Sequence, residues 1–136
     1  MELQIGVKVL LKNEDGRYLL LRRSPAKYPD VAKTELWDIP GGRIEAGKTL
    51  FDNLKREVKE EVNLELVREP KLVAAQDILR SPEKHVVRLT YAGEIEGEPR
   101  LDNDHTEFGW FTLDQLKNLD NLDDYFGELL RLRYFS

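Results

Sequence analysis

A mixed β-sheet packed between helices, an α/β fold of the α+β mixed kind, is what this sequence predicts. Three observations carry that reading: period-two apolar alternation near the N-terminus, one long segment with helical spacing in the middle, and two further Val-, Leu- and Ile-rich runs ahead of a helical C-terminus. At 136 residues, the length matches one domain, 1–136.

Each element follows from local chemistry. Ile5, Val7 and Val9 alternate with Gly6 and Lys8, and the run meets the turn signal Asn13-Glu14-Asp15-Gly16, so Arg17 to Arg23 reads as the returning strand of a hairpin. Ser24 to Glu35, with Pro25 and Pro29, reads as a long irregular loop and a candidate binding loop. Leu36 to Ile39 is a short apolar piece, and Pro40-Gly41-Gly42 is expected to break regular structure. Thr49 with Asp52 resembles a capping box, and Leu50, Phe51, Leu54, Val58 and Val62 recur at helical spacing, which predicts a helix from Leu50 to Val62 closed by Asn63 in the left-handed conformation. Lys71 to Arg80 and His85 to Ile95 read as strands, Glu96 to His105 as a loop, and Thr106 to Phe111 as a short strand. Thr112 and Asp114 open a short helix, and a last amphipathic helix is expected over Asp123 to Tyr134.

Composition narrows the function classes. Apolar residues make up 40% and charged ones 35%, with no apolar run approaching the roughly 20 residues of a membrane span. The balance of 26 acidic against 21 basic residues, a formal charge of −5, has the wrong sign for gripping a nucleic-acid polymer. With no cysteine and two histidines, a bound metal is expected to be held by oxygen, and His85 and His105 read as strand and loop residues rather than ligands. Met1-Glu2-Leu3-Gln4 carries no export pattern, so the expected location is cytoplasmic.

The chemistry concentrates between Gly41 and Leu64. On a helix turning about 100° per residue, Glu57 and Glu61 share one side with Glu60 beside them, on the shoulder of the apolar stripe. Like charges at that spacing repel, and partial burial makes ionisation costlier, so a bound cation would relieve both penalties. Carboxylate oxygens suit Mg²⁺ or Mn²⁺, whose remaining coordination water and substrate phosphates complete. Gly41 and Gly42 would let the backbone approach such a group closely. The same residues taken alone also read as an ordinary charged surface helix, with Arg56 and Glu60 as a routine pair.

The turn and helix together resemble the box of the Nudix hydrolases, MutT-like enzymes. That box runs from a Gly through a Glu to Arg-Glu-aliphatic-x-Glu-Glu-x-Gly-aliphatic. Gly42, Arg56, Glu57, Val58, Glu60, Glu61 and Leu64 match it, and Trp37 to Gly42 is similar to the family's approach to the box. Two positions depart: Lys48 stands for the first Glu and Asn63 for the box Gly. Asn63 is a mild change, whereas Lys48 would repel Arg56 unless Glu45 takes over part of the missing role.

The resemblance implies an α/β/α sandwich and Mg²⁺- or Mn²⁺-assisted attack of water on a diphosphate bond in a small nucleoside diphosphate-X compound. It implies Glu57, Glu60, Glu61 and the Gly41 carbonyl as metal ligands, Arg56 as the residue that orients the carboxylates, and a general base from a later loop, Asp104 first and Glu107 second. The proline that marks ADP-ribose hydrolases beyond the box is missing at its expected place, since Pro82 comes later, so the substrate stays open. For substrate binding, Arg22, Arg23 and Lys27 are the candidate phosphate cations, and Tyr28 and Trp37 the candidate base-stacking rings. Family members are frequently dimers, so a homodimer is an open expectation. The alternative, prompted by Lys48, is a binding module of this fold that holds a nucleotide or partner without turnover.

Overall fold

The structure, a computed structural model, describes residues 1–24 and 36–135. In chain order the elements are β1 (Glu2–Lys12), β2 (Tyr18–Arg23), β3 (Trp37–Asp38), β4 (Gly41–Arg43), α1 (Leu50–Val62), β5 (Lys71–Ser81), β6 (Lys84–Glu94), β7 (His105–Phe111), α2 (Leu113–Lys117) and α3 (Asp124–Arg131). The sheet is mixed. Its main order is β3-β2-β1-β6-β5, with β4 added to β1 and β7 to β2; β1 and β6 run parallel and the other pairs antiparallel.

β1 is central, and both of its faces are covered. Val7, Val9 and Leu11 pack with Leu54, Val58 and Val62 of α1, while Leu10 packs with Leu20, Leu116 and the α3 residues Phe126, Leu129 and Leu130. A strand buried on both sides loses clean alternation, which is why Val9, Leu10 and Leu11 are all buried. The hairpin into β2 is held by Asn13, whose Oδ1 accepts the Asp15 and Arg17 amides. No helix among the described residues is long and apolar enough to cross a membrane.

The central helix matches its expected bounds. Thr49 Oγ1 accepts the Asp52 amide at 3.0 Å, and Asn63 closes the helix at φ 58°, the left-handed conformation that Asn tolerates. Two expectations need correction. Pro40 to Gly42 does not break the sheet: Gly41–Arg43 forms β4, with Lys8↔Gly41 and Val7↔Gly42 in register. The approach is so close that a Cβ on Gly41 would lie 2.0 Å from the Val7 carbonyl oxygen, so glycine makes the pairing possible here. The last helix is shorter than its apolar pattern. Asp123 is its N-cap, and it ends in a Schellman turn in which Arg133 at φ 61° lets the Tyr134 amide reach Leu129 O and the Arg133 amide reach Leu130 O. Phe135 then folds back into the second core.

Candidate active site

The close pairing of β4 with β1 sets the floor beneath α1. Gly41 donates its amide to Glu61 Oε2 at 2.7 Å, and a Cβ on Gly42 would sit 2.8 Å from Glu57 Oε2. The two glycines thus seat two carboxylates of α1 against the backbone. Glu61 is 7% exposed, whereas the Glu60 side chain is 61% exposed and lies 3.9 Å from Arg56 Nε.

Arg56 orients this edge. Its guanidinium donates to Glu57 Oε1 (2.8 Å), Asn53 Oδ1 (2.6 Å) and the Arg43 carbonyl (3.1 Å). Buried Asn53 also accepts the Glu45 amide and donates to the Thr49 carbonyl, so the loop ahead of α1 is tied to the helix that follows. Glu45 lies 3.4 Å from Arg56 Nη1 and 3.3 Å from Lys48 Nζ. The Lys48 charge is therefore met by Glu45 in the open, beside the cation it was expected to repel.

Asp102, which sequence reasoning passed over, and His105, which it read as no ligand, complete the cluster. The loop after β6 is fastened to the end of α1, with the Arg100 amide on the Val62 carbonyl and the Asp102 amide on the Glu61 carbonyl. That staple brings Asp102 and His105 to Glu61. His105 Nε2 lies 3.7 Å from Glu61 Oε1, and its Nδ1 lies 2.7 Å from Asp102 Oδ1. Facing an acceptor-only carboxylate, Nδ1 is the nitrogen that carries the proton. One ligand atom from each of Glu61, Asp102 and His105 falls within 4.8 Å of the others. The only sequence signal was the polar run Asp102-Asn103-Asp104-His105.

This cluster is short of positive charge. Burial pushes the Glu61 carboxyl up to about 8; Lys8 and the Gly41 amide oppose the shift, and Glu57 and Asp102 add to it. A dication would remove that penalty, and the carboxylate oxygens suit Mg²⁺ or Mn²⁺.

A second buried charge group lies on the α3 side. Asp38 (3% exposed) and Asp123 (2% exposed) face Arg88 (4% exposed) and Arg23. Lys8 Nζ adds a contact to Asp38 at 3.3 Å. Burial alone would raise the Asp38 carboxyl, yet Lys8, Arg88 and Arg23 hold it well below the usual carboxylate range. An acid inside the apolar run Leu36 to Ile39 was the available signal, and the sequence reading did not use it.

The remaining expected residues are dispersed. Arg23 belongs to this buried group. Arg22 pairs with Glu107 at 2.5 Å and lies over the Trp37 ring, and Trp37 packs edge-on against Phe111. The Asp104 amide bonds Asp102 Oδ1 and its carbonyl accepts the Ser24 amide. Lys27 and Tyr28 lie outside the described residues.

Comparison with known proteins agrees with this geometry. A family model described as the NUDIX domain matches residues 2–131. The ADP-ribose pyrophosphatase of Methanocaldococcus jannaschii is 28% identical over 111 residues, 78% of this chain and 60% of that relative. The chain thus spans under two thirds of that protein's length. Among solved structures, the MutT protein of Methanosarcina mazei Go1 superposes with a TM-score of 0.82 at 28% identity, covering 97% of this chain and 92% of that one. A MutT NUDIX hydrolase from Burkholderia pseudomallei gives 0.78 at 27% identity over 96% and 98%.

Proposed function

We propose, for a chain that belongs to the NUDIX domain family, hydrolysis of a diphosphate bond in a small nucleoside diphosphate-X compound, dependent on Mg²⁺ or Mn²⁺. The single observation that carries this is the placement of Glu57 and Glu61 against the Gly41–Gly42 strand, with too little positive charge around the buried Glu61. Glu57, Glu60 and Glu61 would hold the metal, which when bound offsets charge on the phosphate oxygens and favours hydroxide near neutral pH. Glu60 is the exposed member of the three.

In the reaction, a water oxygen forms a bond to one phosphorus while the bridging P–O bond breaks. The electron pair leaves with the other phosphate, and the proton of the attacking water passes to a base. Arg56 fixes Glu57 through its three hydrogen bonds. Asp104 is our choice of base, supported by a backbone anchored at both its amide and its carbonyl beside His105. Glu107 is the weaker choice because Arg22 already engages its carboxylate. The position of Glu45 between Lys48 and Arg56 favours a working hydrolase over a binding module without turnover.

Product release from nucleoside triphosphates, nucleotide sugars, ADP-ribose and dinucleoside polyphosphates, with Mg²⁺ or Mn²⁺, tests the proposal. Turnover by the wild type that Glu61→Gln removes supports it. A folded wild type silent across the panel overturns it and leaves the binding module.

A further inference from the structure

The sheet carries a cleft of about 490 Å³ whose lining contrasts with the rest of the chain. Lys8, Arg43, Arg80, Lys84 and Arg88 line it and no carboxylate does, in a protein of formal charge −5. Its volume falls within the roughly 300–1,000 Å³ of small-molecule sites. Ile5, Ile78 and Val86 supply apolar surface, so the lining suits a ligand with an apolar body and a charged end.

The cations are of two kinds. Lys8 is paired with Asp38 and Arg88 with Asp38 and Asp123, so the chain itself meets both of their charges. Arg43 and Lys84 form no ion pair with any described residue, and Arg80 lies over the Tyr125 ring at 5.4 Å. Low-dielectric walls lined by one sign of charge concentrate field and attract the opposite sign. Gly42 belongs to both places: it lines the cleft, and it lies against the Glu57 carboxylate. The cleft therefore adjoins the strand on which the Glu57 carboxylate rests.

We propose that the cleft receives the X group of the substrate and that X carries a phosphoryl group beyond the scissile diphosphate. This rests on the hydrolase reading above. Arg80 and Lys84, on either side of the β5–β6 turn, are the specificity-determining cations. The products would be a nucleoside monophosphate and a doubly phosphorylated X.

The test measures kcat/KM with Mg²⁺ for ADP-ribose and ADP-glucose, whose X groups are uncharged sugars. Against these stand ADP-ribose phosphorylated on the terminal ribose and two polyphosphate chains, adenosine 5′-tetraphosphate and diadenosine tetraphosphate. One or both phosphorylated types should exceed the uncharged ones by about tenfold or more, as expected for one to two charge-assisted contacts. Which type leads tells a phosphorylated sugar from a polyphosphate chain. In Arg80→Ala/Lys84→Ala that ratio should collapse to about twofold or less through a rise in KM, whereas a merely structural loss would lower all substrates alike. Equal wild-type kcat/KM for charged and uncharged X, or an unchanged ratio in the double variant, overturns this inference and leaves the hydrolase reading intact. Silence on every substrate overturns both.

Discussion

Two groups of buried and half-buried carboxylates lie on opposite sides of the sheet, and their surroundings treat them in opposite ways. Asp38 and Asp123, on the α3 side, meet the guanidinium groups of Arg23 and Arg88 and the Lys8 amine. Glu61 and Asp102, on the α1 side, share one histidine, and Arg56 is committed to Glu57. The first group is neutralised by the chain itself and serves the fold: it joins β2, β3 and β6 to the N-terminus of α3, where Asp123 also accepts the Tyr125 and Phe126 amides. The second is left incomplete, and in the proposed reaction a metal ion would supply its missing charge. Burial alone does not distinguish structure from function here; the count of counter-charges does.

That contrast can be broken by mutation, and the largest effect is expected in the neutralised group. Asp38→Ala leaves Arg23 and Arg88 without a buried partner and should cost about 3–5 kcal/mol in urea unfolding, the usual penalty for breaking a buried ion pair from one side. Glu61→Gln should do the reverse. It removes a buried carboxyl whose ionised form lacks compensation, so stability holds or rises, while turnover falls by about a hundredfold or more. Loss of stability comparable to Asp38→Ala would put Glu61 in the structural class instead.

Metal addition sharpens the comparison. At a free metal concentration about a hundred times its Kd, Mg²⁺ or Mn²⁺ should stabilise the wild type by about 2.7 kcal/mol, seen as a rise in Tm, and should leave Glu61→Gln unmoved. An equal rise in both proteins would place the ion elsewhere.

Acid should act on stability through the neutralised group. The folded Asp38 pKa lies below its unfolded value near 4, so its contribution is present above about pH 4 and is lost as pH falls toward the folded value. Stability should therefore drop below about pH 4, with a shallower drop in Asp38→Asn. Parallel acid limbs in the two proteins would show that other carboxylates carry the effect.

The smallest change belongs to the departure that looked most serious. Lys48 meets Glu45 on an exposed loop, and exposed pairs are worth about 0.2–1 kcal/mol, so Lys48→Glu should alter kcat/KM by no more than about fivefold. A gain of a hundredfold would show that Lys48 suppresses the centre.

The sequence by itself determined the elements whose causes are local. Helical spacing and a Thr cap defined α1, Asn63 closed it, and the hairpin followed from Asn13 and its neighbours. Glu57, Glu60 and Glu61 were legible because helix periodicity places them on one edge, whereas the role of Arg56 came only from the resemblance of the box. Tertiary structure decided what depends on distant chain segments. Whether Pro40 to Gly42 breaks a sheet or forms β4 depends on how closely β1 approaches, and where the last helix ends depends on a Schellman turn that returns Phe135 to the core. Asp102 and His105 reach Glu61 only because a loop is fastened to the end of α1, and Asp38 meets Arg88 across 50 positions of sequence. Local propensity carries no term for such meetings, so charge balance, the property that separates the two carboxylate groups, is set by the fold.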